Sequence, residues 1–422
     1  MKHCILSLAC IIGLTLSSNS CSKQEIASDI ETNRNYILTV SEAADNAVSL
    51  RNSMFPSSTK GNLSNISVSN VQVFGEPQTK NSDNDTLLYV VNFADDAGFA
   101  VLSADKRYSV PFIITENGSY DINQTPADKQ DSIARFFVNL SYKYVLENVK
   151  VYKLAETHDA QNIKDAGFEI VSMIEHKMRT AWNQNGVYFE NTEKVYAGCV
   201  ATALAQTFAY YHEEVLDPLY IKDNYIDFEN LLSESRKNDG KLNTKSNSES
   251  RKDVTALQLW IGQSSDAEYN SDGTPISSKK ALQFAKSVGF ETAPKQYAYD
   301  VKRVLNGLQE DKLTYITGAD EAKYFIFENW DWPVGGHAWV IDGYAKVEKN
   351  GTTSELVHVN WGWGGSKNGY YYDGLFDSRK FPVAESGDII DYPIFKPVTK
   401  SDNDGNFCFF QEMSHVYPYS WK

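Results

Sequence analysis

The sequence predicts an α+β protein made of two successive units, and three observations carry that expectation. Strand signals crowd between Val71 and Thr115, then give way to a helical pattern from Pro126 to about Val149. Further on the order reverses, with helical stretches from Cys199 to Leu308 followed by strands from Thr314 to Tyr372. The 422 residues also include 25 Tyr, 21 Phe and 8 Trp, which suits sheets and broad packed surfaces better than a helical bundle.

The first unit, residues 22–150, opens with a short helix from Ser41 to Met54, with Ser41 as its expected N-cap. Strands follow at Val71–Phe74, Thr86–Phe93, Gly98–Ser103 and Val110–Thr115, with turns at Asp95–Gly98 and Asn117-Gly118. In the helix after them, Ile133, Phe136, Phe137, Leu140, Tyr144 and Val145 fall on one face. After its leader the unit holds no cysteine, and no chemistry is expected of it. Residues 151–178 read as a connector plus a helix, and 179–422 as the second unit. Within that unit Ser233–Asp253 is nearly devoid of apolar residues, so a solvated, protease-sensitive loop is expected there. Helices follow at Lys279–Val288 and Asp300–Leu308. Strands come after them at Thr314–Thr317, Lys323–Glu328, His337–Tyr344, Glu355–Trp361 and Gly369–Tyr372.

Charge and cysteine placement narrow the class. Forty basic residues against 55 acidic ones give a net charge of −15, which argues against nucleic acid as a partner. Residues 1–21 read as an export signal: Lys2 and His3, the apolar run Cys4–Leu16, then Ser17 to Cys21. That run is about half of what a membrane span needs. Cys21 resembles the lipid-attachment cysteine of bacterial lipoproteins, although Ser18 stands where a leucine is usual. The expectation is therefore an exported protein, either a lipoprotein of the bacterial outer membrane or cell surface, or a secreted one. Beyond the leader only Cys199 and Cys408 remain, and a bridge between them is the structural alternative for both.

Cys199 opens Gly198-Cys199-Val200-Ala201-Thr202-Ala203-Leu204, a thiol at the first turn of a helix. Unpaired N–H groups and the helix dipole favour thiolate there. By itself the pattern fits a buried structural cysteine better. A nucleophilic cysteine needs a base. Of seven histidines, His3 is in the leader, His158 and His176 lie in or near the connector, His212 ends the Cys199 helix, and His415 sits in an aromatic tail. His337 stands apart, in Gly335-Gly336-His337-Ala338-Trp339-Val340-Ile341-Asp342-Gly343, where paired glycines allow close approach at the mouth of an apolar strand. The segment His358-Val359-Asn360-Trp361-Gly362-Trp363-Gly364-Gly365 supplies Asn360 as a partner for the base, with a tryptophan to shield it. Upstream, Gln184 offers an amide that could join the Cys199 N–H in holding an oxyanion.

Gln, Gly-Cys, Gly-Gly-His and Asn-Trp, in that order, form the pattern of a papain-like cysteine protease. Gly198–Ala203, Gly336–Gly343 and Val359–Gly365 resemble the signatures of the streptopain family (peptidase family C10), and Gly98–Arg107 resembles that family's propeptide. The resemblance spans roughly residues 65 to 380. It implies a papain-like fold, a helical half plus an antiparallel β half, preceded by a small α+β propeptide domain that inhibits the enzyme until it is cut away. It also implies Cys199 as nucleophile, His337 as acid/base, Gln184 in the oxyanion hole, and Asn360 and Trp361 together orienting His337. Protein or peptide substrates follow, with no cofactor and no metal, and none of the histidine spacings suggests a metal. The chain departs from the family at Val187–Tyr196, in place of a proline- and cysteine-bearing loop. It departs again at Ser233–Asp253, an apparent insertion, and at Asp266–Asn270, where relatives line the substrate with Gly and Ser. Two rivals use the same residues: a non-catalytic surface lipoprotein that binds a partner, and a transglutaminase-like or amidase thiol acyltransferase.

Overall fold

The computed structural model describes residues 36–377 except 57–65, 76–85, 125–128, 155–165, 191, 194–195, 216–218, 222–223, 271–272, 293–296, 319–320, 325–330 and 335, together with 412–418. Cys21 and the rest of the leader lie outside the described residues, as does Cys408.

The first unit runs α1 (Val40–Met54), β1 (Val68–Gly75), β2 (Thr86–Phe93), β3 (Phe99–Ser103), β4 (Pro111–Thr115) and α2 (Lys129–Leu154). Helix α1 is capped by Thr39, not Ser41. The Thr39 hydroxyl accepts from the Glu42 N–H while the Glu42 carboxylate accepts from the Thr39 N–H, a reciprocal capping box that Ser41 cannot build with the residues after it. Where a connector and helix were expected, α2 extends to Leu154 and Glu169–Ile174 then forms strand β5. Its Ile170, Met173 and Ile174 are only partly buried and Val171 is exposed, and the strand exists because it pairs with a distant edge.

The second unit continues with α3 (Cys199–Val215), β6 (Leu219–Ile221), β7 (Asn224–Ile226), α4 (Phe228–Arg236), α5 (Ser248–Gln263), α6 (Ser278–Ser287), β8 (Phe290–Thr292), β9 (Tyr297–Ala298) and α7 (Val301–Gln309). It closes with β10 (Leu313–Gly318), β11 (Glu321–Tyr324), β12 (Asp331–Val334), β13 (His337–Lys349), β14 (Thr352–Asn360), β15 (Gly369–Tyr372) and β16 (Glu412–Pro418). Residues 233–253 are not a solvated loop. They comprise the end of α4, a compact turn and the start of α5, with Leu242, Ser246 and Ser250 buried. Polar side chains do locally what apolar burial does elsewhere: Asp227 and Asn247 cap the two helices, and Ser246 accepts from the Asn243 N–H.

One antiparallel sheet crosses both units, in the order β1-β2-β3-β4-β15-β14-β13-β10-β16-β8. The joint is β4 on β15, with Ile113, Ile114 and Thr115 opposite Tyr371, Tyr370 and Gly369. β5 adds to β13, opposite Tyr344–Glu348. The aromatic tail around His415 is β16, inserted between β10 and β8, a pairing across some hundred residues. Helix α3 is buried all round, between the other helices and β13. The expected division into a helical half and an antiparallel β half is therefore the architecture of the second unit.

Candidate active site

Gly198 sets the start of α3. Its φ of +94° is a left-handed conformation, and a Cβ there would stand 2.8 Å from the Thr274 carbonyl oxygen, so only glycine fits. The chain then turns directly into the helix, whose first turn begins at Cys199. Cys199 is a half-buried reduced thiol packed at the margin of the helical core.

His337 is the first residue of β13 and is 4% exposed. Its Nε2–H donates to the main-chain carbonyl of Trp361 at 2.9 Å. A carbonyl only accepts, so this bond requires the proton on Nε2. The imidazole stacks on the Trp363 indole (centroids 4.8 Å apart, planes at 28°), and Trp363 stacks in turn on Trp361 (5.0 Å, 8°).

Asn360 and Trp361, taken together from the sequence, divide the work. The partner of His337 Nε2 is the backbone of Trp361. The Asn360 side chain instead donates to the Thr180 carbonyl at 2.7 Å and accepts from the Gly362 N–H at 3.1 Å and from Gln206 Nε2 at 3.2 Å. It fixes the turn that presents the Trp361 carbonyl. Gln206, fully buried two turns into α3, also accepts from the Trp182 N–H, so the helix, the 180–182 segment and the end of β14 are tied at one point. The sequence offered no signal for Gln206 beyond its place in the helix.

The same turn rests on the start of α3. A Cβ at Gly362 would stand 3.1 Å from Thr202 Cγ2, one turn after Cys199, and Thr202 donates back to the Gly198 carbonyl. Gln184 is drawn in from the other side. Its carbonyl accepts from the Ala197 N–H at 2.7 Å, and the Gly364 N–H donates to the Trp182 carbonyl at 2.9 Å. Three motifs separated by up to 180 residues thus converge on the first turn of one helix.

Behind the tryptophans lies the first unit. Phe137 of α2, fully buried, packs on Trp361 (5.6 Å), Tyr371 (5.8 Å) and Phe376 (5.2 Å). The Tyr144 hydroxyl donates to the Gly374 carbonyl at 2.8 Å.

A second histidine cluster sits on the same strands. His358 on β14 donates from Nδ1 to Asp342 of β13 at 2.6 Å, both side chains being almost completely buried. Its Nε2 faces Glu116 Oε1 at 3.8 Å, and His176 Nδ1 lies 3.6 Å from the same oxygen. Burial pulls the His358 pKa down, but the Asp342 and Glu116 carboxylates outweigh it and push the pKa up to about 9. Burial first, and then the neighbouring His358, hold His176 below its ordinary value.

The peptidase C10 family model matches residues 179–371, which contain Gln184, Cys199, His337, Asn360 and Trp361. Streptopain of Streptococcus pyogenes serotype M28 is 25% identical over 377 residues, covering 82% of this chain and 87% of that protein. The thiol protease/hemagglutinin PrtT of Porphyromonas gingivalis is 24% identical over 326 residues, 69% of this chain and 34% of that one. Among solved structures, a fragment of Prevotella intermedia prointerpain A aligns at a TM-score of 0.45 and 20% identity, over 82% of this chain and 98% of that chain. With its helix-borne cysteine and sheet-borne histidine in that family's motifs, the chain resembles the peptidase C10 family over residues 179–371.

Proposed function

We propose that the protein is an exported cysteine endopeptidase made as a zymogen, with Cys199 as nucleophile and His337 as acid/base. The observation that carries this reading is the His337–Trp361 bond on a turn seated against the first turn of α3. With Nε2 committed to the carbonyl, Nδ1 is the nitrogen that exchanges a proton with the thiol. The Cys199 thiolate, favoured by the helix start, attacks the peptide carbonyl and forms a thioester. His337 passes its proton to the leaving amine, then takes one from the water that releases the acid. The Cys199 N–H and the Gln184 amide hold the oxyanion between the two steps.

The first unit acts as the inhibitory propeptide. It supplies four strands to the enzyme's sheet, and its Phe137 packs against the tryptophan that holds the histidine. Helix α2 ends at Leu154 and β5 begins at Glu169, so we put the maturation cut between them. The leader with Cys21 directs export and lipid attachment.

The test is casein hydrolysis by the processed protein, with and without iodoacetamide and alongside Cys199→Ala. Thiol-dependent hydrolysis lost in the variant is expected. Processed protein without it would turn the reading toward a binding lipoprotein, and amide transfer without hydrolysis toward an acyltransferase. The isolated segment from about 25 to 150 should inhibit the processed enzyme at micromolar excess, and no inhibition would remove the propeptide role.

A further inference from the structure

The His358 cluster is built from three parts of the chain. Glu116 follows β4 in the first unit, His176 follows β5, and His358 lies within β14. Glu116 Oε1 and His358 Nε2 are both buried without a hydrogen-bond partner, and they face each other at 3.8 Å, too far for a hydrogen bond. Buried polar atoms are rarely left so, because each forfeits its hydration. The third atom, His176 Nδ1, is 3.6 Å from that oxygen, and all three ligand atoms lie within 4.8 Å of one another. Zinc bonded to nitrogen and oxygen at roughly 2.0–2.1 Å sets tetrahedral ligands about 3.3–3.5 Å apart, close to these separations.

The surroundings match the same chemistry. His358 donates Nδ1–H to Asp342, which leaves Nε2 as the lone-pair nitrogen once the ring is neutral. Asp342 is itself held, its Oδ2 accepting from the Met178 N–H at 2.9 Å, two residues beyond His176. The Glu116 N–H donates to the Asn368 carbonyl at 2.8 Å, fixing the loop that carries this carboxylate. Glu116 and Asp342 bring two carboxylates to this point, with the Arg51 guanidinium beside Glu116. The His176 and His358 rings are stacked, 4.6 Å apart with planes at 23°, so ligation requires one ring to turn. His176 is 26% exposed against 2% for His358, which makes it the ring that moves.

We propose that Glu116 Oε1, His176 Nδ1 and His358 Nε2 form a zinc site that ties the first unit to the sheet carrying His337. The resemblance implies no metal and the histidine spacings suggest none, but these ligands come together only through the β4–β15 joint and the β5–β13 pairing. If the first unit is the propeptide, as proposed above, the site exists only in the docked zymogen, since Glu116 leaves with it.

The test uses the full chain carrying Cys199→Ala, which removes the active-site thiol as a competing ligand and prevents self-cleavage. After EDTA treatment, Zn2+ titration against a chromogenic chelator should show one equivalent bound, with a rise in Tm. Glu116→Gln and His176→Ala, both at partly exposed positions, should each lower the affinity at least 100-fold while leaving the metal-free Tm near that of the parent. Asp342→Asn should lower it by roughly 10–100-fold, as outer-shell changes do. Absence of stoichiometric uptake by the folded chain overturns the proposal, as does uptake that Glu116→Gln and His176→Ala leave unchanged. Uptake is read on an inactive chain, so a failure of the peptidase reading leaves this result standing.

Discussion

Two histidines on one antiparallel strand pair have opposite surroundings. His337 at the start of β13 is held by a neutral backbone carbonyl and three tryptophan rings. His358 on β14, at least as deeply buried, is held by the Asp342 carboxylate with Glu116 beyond. A carbonyl fixes the ring's orientation and tautomer while leaving its charge free to change. A buried carboxylate pins the charge as well, which is why the His358 pKa is driven up to about 9. Burial alone therefore does not mark the catalytic histidine. His337, the proposed base, is the one whose partner tolerates both protonation states.

That contrast can be broken most sharply at His337. His337→Ala should lower kcat/KM by roughly 10⁴–10⁶-fold, as loss of a member of a nucleophile–base pair does, with little change in Tm. His358→Ala should do the reverse. It strands Asp342 as a buried unpaired charge, at a cost of roughly 3–5 kcal/mol seen in denaturant unfolding, while the folded fraction keeps kcat within a few-fold. A kcat collapse in the folded His358 variant would undo the division of roles.

The next effect separates backbone from side chain in the orienting pair. Asn360→Ala removes the bonds to Thr180, Gly362 and Gln206 and should cost about 2–3 kcal/mol, with kcat falling as the Trp361 carbonyl loses its register. Trp361→Phe keeps the carbonyl and should lower kcat by about tenfold or less. If Trp361→Phe proved the more damaging for kcat, the indole and not the carbonyl would be the orienting group.

The smallest effect is a background that any pH scan of these histidines must subtract. Burial first, and then the nearby Asp227 carboxylate, push the Asp253 pKa up to about 6. A raised carboxylate pKa means the folded state binds the extra proton, so this group weakens the fold as pH rises from about 4 through 6. Asp253→Asn should therefore raise stability above pH 6 by about 1 kcal/mol, a figure reduced for solvent screening, and change nothing below pH 4. An equal gain at both ends of the scan would mean the carboxylate is not the cause.

Much of this was legible in the residues. β2 and β15 have the bounds that their β-branched and aromatic runs predict, and α6 and α7 start where Ser277 and Asp300 can cap them. Cys199 and His337 were readable because glycines beside them mark where the chain must bend or be approached closely. Strand β5 was not readable, because Glu169–Ile174 buries little by itself and depends on the edge of β13. The order of residues 233–253 was hidden for a related reason, since hydrogen bonds between polar side chains and backbone leave no hydrophobic period to find.

Local chemistry was written in the residues alone: which helix begins with a thiol, which strand opens on a histidine, and which motifs resemble those of the C10 peptidases. The partners came from long-range packing. It gave His337 a backbone carbonyl, which no residue type can announce. It joined the first unit to the enzyme through the β4–β15 pairing, and it brought Glu116, His176 and His358 to one point. Those outcomes depend on strand pairings between distant segments, whose register is set by two faces packing at once and not by any one stretch of chain.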